Sequence, residues 1–76
     1  NLARLEIKGR YRAQIIAEFV SFPLEKLMNL NPQIEKVLST GKSFELILPK
    51  DKLEIFEANK NEILQASIQS LYKIRD

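Results

Sequence analysis

Tyr11 stands between Arg10 and Arg12, and this triplet has the chemistry to hold a ligand. The ring offers stacking area, and a guanidinium presents a rigid fork of donors to a sugar face or an acidic group. A solvated helix start with Tyr11 packed at its edge is the competing reading. Asn31 and Gln33 carry carboxamides that can bind N-acetyl groups, although Asn31 before Pro32 is equally ordinary turn chemistry and serves as a helix stop. Catalysis has less to draw on. The chain contains neither histidine nor cysteine, which removes thiol nucleophiles, Ser-His-Asp and Cys-His arrangements and ordinary zinc sites together. Glu54 and Glu57 fall near a helix start, where acids interact well with the dipole, and no partner acid is placed across a cleft. No catalytic residue, metal ligand or cofactor is assigned, and the segment is not read as an enzyme.

A length of 76 residues with 45% hydrophobic and 29% charged side chains suits one small globular domain. A core of that size rarely supplies more than roughly 3–5 kcal/mol. No disulfide can reinforce it, so a neighbouring surface is expected to help. The net charge of +2 is too small to point to nucleic acid or an anionic membrane as partner. The absence of an initiator Met, a leader or a long apolar run suggests a piece of a larger protein, with neighbouring domains of a parent chain as partners.

The elements that would position these residues follow from hydrophobic period. Residues 2–7 alternate, with Ala3, Leu5 and Ile7 on one face and Arg4 and Glu6 on the other, which predicts a half-buried strand broken at Gly9. Residues 11–20 switch to helical spacing through Ile15, Ile16, Phe19 and Val20. Ser21 and Pro23 then suit the start of a second helix, whose buried stripe is Leu24, Leu27, Met28 and Leu30. Pro32 stops it. Residues 33–42 read as a loop with at most one helical turn, and residues 43–48 alternate again as a strand closed by Pro49. Phe19, Leu27 and Leu46 are expected to meet in the core.

Asp51 and Glu54 have capping-box spacing and open the longest helical pattern in the chain. A helix of about 22 residues would reach about 33 Å, longer than so small a domain. Its stripe, Ile63, Leu64, Ile68, Leu71 and Tyr72 with Ser67 between, therefore needs cover. Three covers are open: a second copy in a homodimer, a missing neighbouring domain, or a fold-back onto the chain's own core. Residues 15–31 also have helix-turn-helix order, but Glu25, Lys26 and Asn29 give a recognition helix little attraction for phosphate, so nucleic acid is not expected.

Several motifs follow one another in a specific order: Ile7-Lys8-Gly9, Ile16-Ala17, Phe22-Pro23-Leu24-Glu25-Lys26-Leu27, Leu30-Asn31-Pro32, Leu46-Ile47-Leu48-Pro49, and Asp51-Lys52 with Phe56. This order resembles the LysM module, and more closely the LysM-like segment of the membrane-bound lytic murein transglycosylase D family, over roughly residues 5–58. The resemblance implies that the β-α-α-β unit over residues 1–49 pairs its two strands as an antiparallel sheet; with the long C-terminal amphipathic helix that the spacing predicts over residues 50–76, the expected fold is α+β. It further implies a location in the bacterial cell envelope, on the periplasmic side. The role implied is a non-catalytic accessory domain that holds a peptidoglycan-cleaving enzyme on N-acetylglucosamine-containing glycan. The groove would then lie between Gly9, Arg10 and Tyr11 on one loop and Asn31, Pro32 and Gln33 on the other. One departure stands out, because LysM modules usually carry Gly-Asp-Thr or Gly-Asp-Ser where this chain has Gly9-Arg10-Tyr11. A spacer or assembly module with no sugar affinity is the alternative.

Overall fold

The alternating segments pair as an antiparallel ribbon, β1 (Leu2–Ile7) against β2 (Phe44–Pro49), in a computed structural model that describes residues 1–73. The register sets Ala3 opposite Leu48, Leu5 opposite Leu46 and Ile7 opposite Phe44, so one face is apolar throughout. On the other face Glu6 lies opposite Glu45. Arg4 reaches diagonally to the Glu45 carboxylate at 3.5 Å. Because both side chains are largely exposed, the pair contributes only about 0–1 kcal/mol. The fold is α+β and ends in a C-terminal helix.

Three helices, not two, connect the strands: α1 (Ala13–Val20), α2 (Leu24–Leu30) and α3 (Ile34–Ser39). The stretch expected to be mostly loop winds into α3 because Ile34 and Leu38, one turn apart, are both buried. Packing against β2 supplies what six residues of local propensity cannot. Ser21 closes α1 instead of opening α2. It takes a left-handed conformation (φ 55°), while the Phe22 N–H returns to the Ala17 carbonyl at 3.0 Å, as in a Schellman ending.

The expected meeting of Phe19, Leu27 and Leu46 fails at Phe19. Leu27 and Leu46 are fully buried, but α1 turns Ala13, Ile16, Ala17 and Val20 inward, and this stripe leaves Phe19 38% exposed on its flank. Phe56 is the phenylalanine that fills the centre. In α2 only Leu27 is buried; Leu24 and Met28 face outward and Leu30 is half-buried.

The single long C-terminal helix is in fact two, α4 (Lys50–Ala58) and α5 (Lys60–Lys73). Asn59 separates them: its N–H is shared between the Ile55 and Phe56 carbonyls and its side-chain amide also donates to Ile55 O, at 2.9 Å. The Asp51 capping box does not form. Pro49 occupies the cap position and Asp51 sits within the first turn, where its charge still suits the helix dipole. Helix α4 covers both strands and α1, and α5 runs beside α1. Of the proposed self-association stripe, Ile63 is buried in the chain's own core along with Ser67, and Leu64 packs against it, so fold-back covers this part. Ile68 and Leu71 are half-buried, and Tyr72 is 70% exposed.

Candidate functional site

The turn after β1 separates the two residues that the sequence places side by side. Gly9 adopts φ 125°, a conformation that strains any residue with a Cβ. The Tyr11 N–H closes a three-residue turn onto the Gly9 carbonyl at 2.9 Å. Arg10 at its tip is thrown into solvent. Tyr11 is turned into the core, where its ring meets Phe56 at a centroid distance of 5.3 Å and a tilt of 53°, within the range of favourable aromatic pairs. Burial pushes the Tyr11 phenol above its ordinary pKa. At 3% exposure Tyr11 is no stacking platform.

Arg12 is held by α5. Its backbone N–H donates to Ser67 Oγ at 3.1 Å, its guanidinium donates to Ser70 Oγ at 3.1 Å, and Ser70 Oγ donates back to the Ser67 carbonyl at 2.8 Å. The next N–H, of Ala13, donates to Glu35 Oε2 at 2.8 Å. Two open donors at the start of α1 are thus satisfied by side chains from α3 and α5, in place of the local cap that Arg12 cannot supply.

Asn31 is likewise consumed inside the fold. It is fully buried, its Nδ2 donates to the carbonyls of Leu27 and Ile47 at 2.9 Å each, and its Oδ1 accepts the Ile47 N–H at 2.7 Å. One carboxamide therefore pairs with both outward-facing backbone groups of Ile47, as a neighbouring strand would, and so covers part of the edge of β2. Pro32 and Gln33 are exposed, with Gln33 left-handed at φ 70°.

These positions do not all converge. Arg10, Tyr11 and Arg12 share a recess of about 80 Å³ with Glu35, Leu38 and Leu71. Asn31, Pro32 and Gln33 do not line it; α3 stands where their loop was expected. The recess is too small for a sugar ring, since a cavity that admits benzene measures about 150 Å³. It adjoins, through Arg10 and Leu71, an open groove of about 540 Å³ lined by Arg10, Ile68, Leu71 and Tyr72. Here an exposed aromatic and an exposed cation face one space, which the sequence reading missed. Tyr72 lies four residues after Ile68, so helical phase alone assigns it to the buried stripe.

No family model, curated protein or solved structure matches the chain. Among the described residues, no helix is long and apolar enough to cross a membrane.

Proposed function

We propose that the chain is a non-catalytic, LysM-like accessory module that positions a peptidoglycan-cleaving enzyme on cell-wall glycan in the bacterial envelope, on the periplasmic side. The observation that carries this reading is the groove beside the Gly9 turn, where Arg10 and Tyr72 bring a donor fork and a stacking face to one open surface. The antiparallel ribbon with its helices packed on the apolar face supports it, as does the motif order along residues 5–58. Partners on this reading are N-acetylglucosamine-containing glycan and the neighbouring domains of the parent chain.

Co-sedimentation with purified peptidoglycan sacculi and with chitin, against cellulose as control, tests it. The module should be retained on the first two and washed from the third. Equal recovery from all three would favour the second reading, a spacer or assembly module without sugar affinity. That reading has its own support, since Tyr11 and Asn31 serve the core and the strand edge.

A further inference from the structure

We infer that glycan sits on the face of α5, in the groove of Arg10, Ile68, Leu71 and Tyr72, and that the favoured glycan carries a carboxylate. The inference rests on the glycan-binding reading above and gives it a place and a charge. Three observations combine. Tyr11, the aromatic expected to stack, is 3% exposed, whereas Tyr72 is 70% exposed and flanked by the half-buried Ile68 and Leu71. A pyranose ring presents C–H bonds on its faces and hydroxyls at its rim, so it needs an apolar floor beside a polar edge. Ile68, Leu71 and the Tyr72 ring supply the apolar surface and Arg10 the polar edge.

Charge sets the preference. Arg10 is exposed, and among the described residues no carboxylate pairs with it. The acid in the adjoining recess, Glu35, accepts the Ala13 N–H at Oε2 and shares that recess with Arg12 as well as Arg10. Arg12 points its guanidinium to Ser70, which leaves Arg10 to meet a ligand. A guanidinium pairs with a planar carboxylate in a bidentate manner that a neutral sugar cannot match. Of the alternating sugars of peptidoglycan, only the one with a lactyl ether can carry such a group, and its carboxylate is free on glycan from which the stem peptides have been removed, since it is otherwise amide-bonded to them.

The experiment is an amide NMR titration of the 76-residue chain with two probes, tetra-N-acetylchitotetraose and the disaccharide of N-acetylglucosamine and N-acetylmuramic acid. Shifts should centre on Arg10 and residues 68–72, and the anionic probe should bind more tightly for its size. Tyr72→Ala should weaken both probes about fivefold to tenfold. Arg10→Gln should cut the anionic probe about threefold to fivefold and leave the neutral one unchanged. Both side chains are exposed, so folding is preserved and the variants' spectra report that directly.

Shifts confined to residues 31–33, with Tyr72→Ala binding as well as the parent, would overturn the placement and leave the glycan-binding reading intact. No shift with either probe would overturn both. Ligand-free shifts at residues 68–72 that grow with protein concentration, together with a dimer mass in light scattering, would give the groove to a second copy and overturn the inference.

Discussion

Replacing Asn31 with Ala should cost this small domain most of its stability. The substitution removes three hydrogen bonds, from Nδ2 to Leu27 O and Ile47 O and from the Ile47 N–H to Oδ1. At about 0.5–1.5 kcal/mol net each, their loss amounts to about 1.5–4.5 kcal/mol. Asn31 is fully buried and Ile47 half-buried, so water can replace only some of the lost partners and the expected value is about 2–4 kcal/mol. A chain of this size holds roughly 3–5 kcal/mol in all. With a urea slope of about 1 kcal/mol per molar for so short a chain, the midpoint should fall by about 2–4 M. Asn31→Asp is the sharper perturbation. It keeps an acceptor for the Ile47 N–H but turns a carboxylate oxygen, in place of a donor, toward two carbonyls, so it should be at least as damaging as Ala at neutral pH. Urea unfolding followed by far-UV circular dichroism measures both. A loss below about 0.5 kcal/mol for Asn31→Ala, or parental stability for Asn31→Asp, would refute the idea that this carboxamide stands in for a strand.

The two glycines separate strain from contact. A Cβ at Gly9 would meet Leu64 Cδ1 at 3.3 Å on a backbone with φ 125°, whereas Gly41 (φ 87°) has open space around it. Gly9→Ala should therefore cost about 2–4 kcal/mol and Gly41→Ala about 1–2 kcal/mol by thermal unfolding; equal losses would contradict the close approach of α5. Leu46→Ala should cost about 2–5 kcal/mol and Phe19→Ala under about 1 kcal/mol by the same measurement, an order that reverses if Phe19 is the core aromatic. Because burial raises the Tyr11 pKa above its unfolded value of 10.0, the unfolded state loses the proton first. Stability should then hold below that unfolded pKa and fall as pH climbs from it through the folded value. Tyr11→Phe should flatten that alkaline decline in denaturant midpoints, and an unchanged decline would place Tyr11 in water.

Strands and the first two helices were legible because their signals are local. Ala3, Leu5 and Ile7 alternate across β1, and Ile16 with Val20 marks the inner face of α1. What the sequence hid depends on contacts made at a distance. Ile34 and Leu38 had helical spacing, but Ser39, Thr40 and Gly41 beside them read as turn, and only packing against β2 decides for α3. Phe19 shares helical spacing with Ile15, Ile16 and Val20, which predicts an inward side chain, while the phase of Ala13, Ile16, Ala17 and Val20 puts it outside. Asn59 interrupts a run with neither Gly nor Pro, and the hydrogen bond its side-chain amide donates to Ile55 O leaves no trace in hydrophobic period. Of the candidate site, Arg10 is exposed as a ligand contact requires, but the aromatic beside it comes from Tyr72, at the other end of the chain, across a groove that no local pattern could reveal.

The caps on α1 bear on how the chain is made. Arg12 and Ala13 leave the ribosome ahead of the hydroxyl that receives the Arg12 N–H, which belongs to Ser67, 55 residues later. At roughly 5–20 residues per second this interval lasts roughly 3–11 s, whereas helix formation needs only about a microsecond. An isolated helix of eight residues is marginal in water, so α1 depends first on α2 and then on α4 as each is made. The Arg12 backbone N–H therefore waits longer still for its partner, and a stall before Ser67 would leave that donor at the start of α1 uncapped.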